Sequence, residues 1–353
     1  MPHLVLVCRP GFEAALSEEL ALRFRGVVHG AEALRQEAGL VILAGGLARA
    51  VREPGPGALL FARQWLPDAQ WVPLSDPAAA AEAVVAARLT RLPAGQPWTL
   101  HAFGASSEGD LAMNAAATRL ADAVLHACRA QHPALLEHYV EPRDAGKSHA
   151  LVLQLCIVSA GVWASLAPGT DLPDAYPGGV HRMRFDPQSP SRSYLKIEEA
   201  FDVLGTYPRT GERVIDLGAA PGGWTYAFLK RGCQVLAVDR GPLKLRSTGS
   251  GHVTHVREDG LTFQPPHRWG HADWLVSDML VPPGKTFGLL RRWIEQGGMR
   301  RFVVNIKIPQ QHPYPVLQPI EDYLRRNPDL WFRIRQLYHD RREVTVVGRF
   351  SRF

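Results

Sequence analysis

Residues 214–225 constrain this chain more than any other stretch. The apolar residues Val214, Ile215 and Leu217 surround an acidic Asp216; a loop of glycine, alanine and proline follows, and an amphipathic run extends to residue 231. That order predicts a strand, a tight loop and a helix. Gly218, Gly222 and Gly223 lack a Cβ, so the backbone can turn sharply there and admit a ligand closely. The loop opens on a helix N-terminus, where free N–H groups favour negative groups. A carboxylate at the strand end, however, repels a pyrophosphate and suits a ligand carrying a cationic amine or sulfonium.

From Pro190 onward, strands and helices alternate. Apolar runs at 214–217, 234–238, 253–257, 274–277, 302–306 and 343–348 predict strands. Helices are predicted at 224–231, 287–296 and 319–326, and a further helix runs to about Leu204 with Ser191 and Ser193 as capping residues. The alternation predicts an α/β domain over residues 191–353 with a doubly wound, mostly parallel sheet. Its ligand is expected at the carboxyl ends of the strands, near the switch point.

The first half mixes its elements less regularly. Residues 1–65 predict a small α+β unit: strands at 4–8, 27–30, 40–44 and 59–65, a helix at 12–24, and an irregular connection at 49–57. Residues 66–167 predict a second α+β unit, with helices at 77–92 and 114–131, a strand at 98–104, and a hairpin of 150–157 with 162–167. Five prolines mark residues 168–190 as a linker, within which His181, Arg182 and Arg184 either line a substrate groove or lie on a solvated loop.

Composition excludes some classes. No apolar run approaches the roughly 20 residues of a membrane span, and the first ten residues lack a signal-peptide pattern, so a cytoplasmic protein with no membrane partner is expected. Four scattered cysteines without a Cys-x-x-Cys spacing predict buried free thiols and no metal site. Residues 1–165 carry a net charge of −2 and residues 166–353 one of +8, so the basic excess lies with the glycine loop. This suits a polyanionic substrate such as nucleic acid, although arginine bias would produce the same excess. Only six of the 40 basic residues are lysine: Lys147, Lys196, Lys230, Lys244, Lys285 and Lys307. Arginine does not lose its proton in a protein, whereas a desolvated lysine does. The lysines therefore mark places to look for proton chemistry.

Each later strand end carries a candidate. Asp239 ends the second strand, where an acidic residue accepts hydrogen bonds from a ribose diol; a strand-end turn aspartate is the competing reading. Asp259 follows the third strand and is placed to bind an adenine amine or to make a turn. Asp278 closes the fourth. The Asp/Asn-Pro-Pro-aromatic pattern of exocyclic-amine methylation is absent there, as is the nearby cysteine needed for methylation at pyrimidine C5, so a hydroxyl acceptor fits. Lys307 ends the fifth strand, where desolvation is expected to lower its pKa and supply a neutral amine. Lys196 on the first helix and Glu343 at the start of the last strand would each pass singly as surface charges.

The glycine loop resembles motif I of S-adenosylmethionine (SAM) methyltransferases, and the order Lys196, Asp278, Lys307, Glu343 resembles the tetrad of Rossmann-like RNA ribose 2′-O-methyltransferases. Further stretches extend the likeness over nearly the whole chain: Cys8-Arg9-Pro10-Gly11-Phe12-Glu13, Phe61-Ala62-Arg63-Gln64-Trp65, Pro190-Ser191-Arg192-Ser193, Arg257-Glu258-Asp259-Gly260 and Gln336-Leu337-Tyr338-His339-Asp340-Arg341. They are similar to the M family of ribosomal RNA large-subunit methyltransferases. The resemblance implies a Rossmann-like SAM methyltransferase domain preceded by ferredoxin-like and THUMP portions. It implies ribose methylation of a cytidine in the peptidyl transferase region of 23S rRNA. Separately, a monomer acting on free rRNA or a precursor particle is expected, and the mechanism needs no metal. Carried over residue by residue, Ser193, Gly218, Ala220, Pro221, Gly222, Gly223, Asp239, Asp259 and Asp278 bind SAM. Lys307 is the proton acceptor, kept neutral by Lys196, oriented by Asp278 and supported by Glu343. Ala220 stands where the family loop often has cysteine, a small change at a mostly backbone contact. The rival readings are a base-modifying RNA methyltransferase and a non-catalytic RNA-binding or ribosome-assembly factor. A nicotinamide dehydrogenase is more distant, because Gly-x-Gly-x-x-Gly is absent.

Overall fold

In the computed structural model the described residues are 3–26, 34–55, 58–106, 111–142, 149–246, 249–269 and 271–351. The chain forms two compact units, Met1–Val180 and His181–Phe353. The first contains, in order, β1 (His3–Cys8), α1 (Glu13–Arg23), β2 (Leu34–Glu37), β3 (Leu40–Leu43), α2 (Gly45–Arg52), β4 (Ala62–Pro73), α3 (Pro77–Val84), β5 (Trp98–Gly104), α4 (Leu111–Gln131), β6 (Leu151–Val158) and β7 (Gly161–Pro168). Its seven strands lie in the order β2-β3-β1-β4-β7-β6-β5.

Strand β4 departs most from expectation. It is twelve residues long, pairs antiparallel with β1 through Ala62–Leu66 and Ala69, and pairs with β7 through Gln70–Pro73. The pairing with β1 is interrupted by a bulge at Pro67 and Asp68, the latter with φ 53°, and the partner changes between Ala69 and Gln70. The strand expected at 59–65 thus continues through the bulge to Pro73. The division expected at 65/66 thus falls inside β4. The irregular connection expected at 49–57 begins as the last turn of helix α2, which ends at Arg52 and buries Leu47, Ala48 and Val51. The helix expected at 77–92 is α-helical only to Val84 and continues as a π-helical turn, Val85–Leu89. The strand expected at 27–30 lies outside the described residues. Part of the expected linker belongs firmly to the first unit: Gln64 and Trp65 of β4 donate to the carbonyls of Asp174 and Asp171, at 2.8 and 2.6 Å.

The second unit contains α5 (Tyr194–Leu204), β8 (Arg213–Leu217), α6 (Gly223–Leu229), β9 (Gln234–Val238), β10 (His252–Val256), β11 (Ala272–Ser277), α7 (Pro283–Gln296), β12 (Met299–Lys307), α8 (Pro313–Arg325), β13 (Leu330–Arg335) and β14 (Glu343–Phe350). The strand order is β10-β9-β8-β11-β12-β14-β13. The first five are parallel, and β14 runs antiparallel between β12 and β13. Val214, Val235, Ala237, Trp274, Val276, Val303 and Val347 share one core with α5 and α6. The intervening Ile215, Leu236, Leu275, Phe302 and Val346 are equally buried, as a sheet covered on both faces requires. At the centre of the first core, Phe201 packs edge-on against Phe228 and Trp274, with ring centroids 5.3 and 5.4 Å apart.

Two elements differ from expectation. β13 was not anticipated; its arginines interrupt the apolar alternation, and as an edge strand it is paired on one side only. Helix α8 begins at Pro313, six residues earlier than expected, because prolines in a first turn remove N–H groups that have no partner in any case. Among the described residues no helix is long and apolar enough to cross a membrane. All four cysteines are buried and free.

Strand β8 is joined to α6 by one buried bond. Thr225 Oγ1 donates to Asp216 Oδ2 at 2.6 Å, and Asp216 is 1% exposed. The carboxylate expected to face a cationic ligand therefore faces the helix after the loop. Burial pushes its pKa up to about 7; the bond from Thr225 opposes this, and Asp278 and Asp239 add to it. An unfolded aspartate titrates near 3.9. The native state thus holds a proton that the unfolded chain releases, and this contribution to stability is complete below about pH 4 and lost as pH rises through about 7. We expect Asp216→Asn, which still accepts from Thr225, to raise the thermal midpoint relative to wild type at pH 8 and much less at pH 5. Equal shifts at both pH values, measured by calorimetry, would contradict this account.

Candidate active site

The loop after β8 is shaped by the protein itself. Gly218 and Gly222 have φ of 80° and 112°, where side chains are strained. A Cβ on Gly218 would strike the Met279 side chain, and one on Gly223 would strike the hydroxyls of Ser191 and Ser193. Asp239, just beyond β9, holds the loop from the next strand end. Its Oδ2 accepts from Ala220 N at 3.0 Å and its Oδ1 from Gly241 N at 2.7 Å. Asp259 closes a turn by accepting from Leu261 N at 2.9 Å and pairs with the exposed Arg240 at 3.2 Å. Ser193 precedes α5 without capping it. Its hydroxyl lies 2.7 Å from that of Ser191, and its carbonyl accepts from Trp224 Nε1 at 3.0 Å.

Gly218, Ala220, Pro221, Ser193, Asp239, Asp259 and Asp278 all remain partly exposed. They sit at the carboxyl ends of β8 to β11 or at the start of α5. The set offers backbone edges beside carboxylates that retain accepting lone pairs. SAM carries ribose hydroxyls, an adenine amine and a sulfonium, and this donor set fits it.

Beside this cradle four charged side chains close a ring. Lys307 Nζ lies 2.7 Å from Asp278 Oδ1 and 2.6 Å from Glu343 Oε2. Lys196 Nζ lies 3.5 Å from Asp278 Oδ2 and contacts Glu343 Oε1. Each carboxylate oxygen thus meets one ammonium, and the ring is neutral. Topology explains the meeting: Lys307 and Glu343 are register partners at the end of β12 and the start of the antiparallel β14. Asp278 immediately follows β11, and Lys196 reaches in from α5.

Burial pulls the Lys307 pKa down, but the Asp278 and Glu343 carboxylates outweigh it and hold it above the ordinary lysine value. This corrects the expectation of a neutral amine in the unliganded protein: strand-end desolvation is present, and the ion pairs exceed it. For Glu343, burial pushes upward, and Lys196 with Lys307 overcomes this to hold the carboxyl below its usual range.

The linker's basic group divides. His181 is buried, with Nδ1 3.5 Å from Asp202 and its carbonyl accepting from His339, whereas Arg182 and Arg184 are exposed. The sequence reading did not identify Met279, which fills the space beside Gly218 and Gly260. Nor did it identify Asn305, whose Nδ2 donates to Asp278 Oδ1 at 2.9 Å. A signal for Asn305 existed: it is a polar residue two positions before Lys307 in an apolar strand, hence on the same face. Among the described residues no cluster of three or more histidines, cysteines or acids is placed to hold a metal ion.

Residues 190–291 match the FtsJ-like methyltransferase family. Over nearly its full length the chain is similar to the ribosomal RNA large subunit methyltransferase M of Alkalilimnicola ehrlichii, with 35% identity over 359 residues covering 98% of this chain and 93% of that protein. The protein of that name from Escherichia fergusonii is 30% identical over 375 residues, covering 98% and 96%. That from Marinomonas sp. is 41% identical over 182 residues, covering 48% and 51%. With a glycine loop and a charged ring at the strand ends, and relatives matched nearly end to end, the chain belongs to the ribosomal RNA large subunit methyltransferase M family.

Proposed function

We propose that the protein methylates the ribose 2′-hydroxyl of a cytidine in 23S rRNA, with SAM as donor and Lys307 as proton acceptor. The observation that supports this most is the closed ring of Lys196, Asp278, Lys307 and Glu343 beside the cradle. Bound SAM supplies an electrophilic methyl group and a positive charge on sulfur. Asp239 and Asp259 would accept hydrogen bonds from its hydroxyl and amine groups, and Ser193 with Gly218, Ala220, Pro221, Gly222 and Gly223 would shape the surface that holds it. Asp278 orients Lys307, and Glu343 holds both lysines.

Lys307 starts as an ammonium, so it must release a proton before it can accept one. A nearby cation favours that release by like-charge repulsion. Lys196 supplies one from within the ring, and the sulfonium supplies another. Neutral Lys307 would then hold the proton given up by the 2′-hydroxyl when that oxygen takes the methyl group and the thioether product of SAM departs. Positioning and base catalysis carry the rate.

Methylation through a cysteine adduct on the base is disfavoured. Cys233 precedes β9, at the opposite edge of the sheet from the ring, and burial pushes its thiol up to about 12. We assign the first unit to the ferredoxin-like and THUMP portions, dividing near residue 65, and residues 168–190 to the connection. Its net charge of −2 over residues 1–165 points to recognition of RNA shape more than to a broad electrostatic grip. We further propose a monomer acting in the cytoplasm on free rRNA or a precursor particle.

Nuclease digestion and mass spectrometry of RNA methylated in vitro should place the methyl on ribose; a methylated base would overturn the acceptor. Lys307→Arg should keep SAM affinity and lose about 10²–10⁴-fold in turnover, and near-wild-type turnover would remove the base role. Because Lys307 must be neutral to act, kcat should rise with pH. Glu343→Gln takes away one carboxylate that raises the Lys307 pKa, so the rising limb should move to lower pH while the plateau falls. Asp239→Ala should weaken SAM binding in calorimetry by about tenfold or more. If the wild-type protein binds no SAM, the non-catalytic reading returns.

A further inference from the structure

Asp278 is held by a third group besides the two lysines. Asn305 is fully buried, and its Nδ2 donates to Asp278 Oδ1, the oxygen that Lys307 also binds. Asn305 Oδ1 lies 2.7 Å from Thr345 Oγ1, and that hydroxyl lies 2.9 Å from Asp340 Oδ2. Thr345 and Asp340 are buried as well. Asn305 and Thr345 are register partners on β12 and β14, one strand repeat inward from Lys307 and Glu343. The ladder that forms the ring thus places a second polar pair behind it.

The protons of this string can be counted. Asp278 faces two ammoniums and is a carboxylate, so the Asn305 amide must turn its N–H toward it and its oxygen toward Thr345. That oxygen needs a donor, and among the described residues the donor it meets is the Thr345 hydroxyl. A hydroxyl has one proton. Having donated it to Asn305, Thr345 meets Asp340 Oδ2 with a lone pair, and two facing lone pairs at 2.9 Å repel. A proton on Asp340 Oδ2 resolves the conflict, and this oxygen still accepts from Leu337 N at 3.0 Å.

We infer that Asn305, Thr345 and a protonated Asp340 form a string with one proton direction that fixes and tempers the Asp278 carboxylate facing Lys307. They are positioning residues for the proton acceptor, and the inference rests on the proposed methyl transfer. The surroundings agree. Burial and the neighbouring Glu343 push the Asp340 carboxyl well upward, Glu199 adds to this, and Lys196 and the Leu337 amide oppose it. Glu199, on α5 three residues from Lys196, accepts from the amides of Tyr338 and His339 at 2.7 and 3.0 Å and so fixes the turn that carries Asp340. The groups facing Lys307 are Asp278, Glu343 and Lys196. The Asn305 bond draws charge from the Asp278 oxygen nearest Lys307. Losing it leaves that oxygen more negative and raises the Lys307 pKa further.

The test compares Thr345→Val, Thr345→Ser and wild type for SAM affinity, kcat and the kcat–pH profile. Thr345→Val should keep SAM affinity, lower kcat about tenfold at neutral pH and move the rising limb to higher pH. Thr345→Ser, which keeps the hydroxyl, should restore both. Independently, the infrared difference between wild type and Asp340→Asn at neutral pH should show a protonated carboxyl band. A wild type that methylates ribose alongside a Thr345→Val protein with unchanged kcat and limb overturns the string. So does loss of SAM binding in both threonine variants, which would mean a structural role, and so does absence of the carboxyl band. A wild type that methylates no ribose overturns instead the reading on which the string rests.

Discussion

The neutral ring of two ammoniums and two carboxylates is the constraint to which the catalytic unit conforms. Its side chains are only 14%, 17%, 18% and 9% exposed for Lys196, Asp278, Lys307 and Glu343. Removing one partner of such a buried pair leaves an uncompensated charge, typically at about 3–5 kcal/mol. The four groups come from four segments, so their pairing fixes α5 and the ends of β11, β12 and β14 relative to one another. It also explains the antiparallel strand. In a parallel sheet every strand starts at the edge opposite the ligand. Only a strand running the other way places its first residue at the carboxyl edge, and Glu343 is the first residue of β14.

The loop beside the ring is organised by the same economy of space. Its glycines are fixed by protein neighbours, Met279 at Gly218 and Ser191 with Ser193 at Gly223, more than by room for a ligand. Asp216 faces inward to Thr225, and Asp239 faces the loop amides. Two carboxylates that look alike in the sequence therefore divide the work: the buried one fastens α6, and the partly exposed one holds the loop while keeping lone pairs for a ligand.

The sheet of the second unit was legible because parallel strands buried on both faces read as unbroken apolar runs. Five of its seven strands could be placed within a residue or two of their bounds, β12 begins three residues before its expected start, and β13 escaped altogether. Its arginines hide the alternation. In the first unit only the start of β4 fell in the strand expected at 59–65, because Pro67-Asp68 has turn chemistry and nothing local shows that the strand continues past a bulge to a new partner. The ring was legible as a set through residue type and chain order, while its electrostatics were not. Desolvation at a strand end is visible in sequence, but the distance to a compensating carboxylate is a property of the fold, and it reversed the expected shift of Lys307. Asn305 and Thr345 lay one strand repeat from residues already singled out, and their polarity in apolar strands was the only trace.

The preference for lysine in a chain rich in arginine follows from the ring's geometry. Each nitrogen must reach two carboxylates on different elements from a single atom, as Lys307 Nζ does at 2.7 and 2.6 Å. An ammonium is a compact charge with three donors directed apart. A guanidinium is a planar fork that matches one carboxylate at a time and does not release a proton at physiological pH. Arginine at position 307 would satisfy the charge balance and could still pair with Asp278, but it would bind one carboxylate at the other's expense and remove the titrating group. Charge alone therefore does not select the residue at this place. The geometry of the ring and the requirement for a removable proton both do, and they select the same side chain.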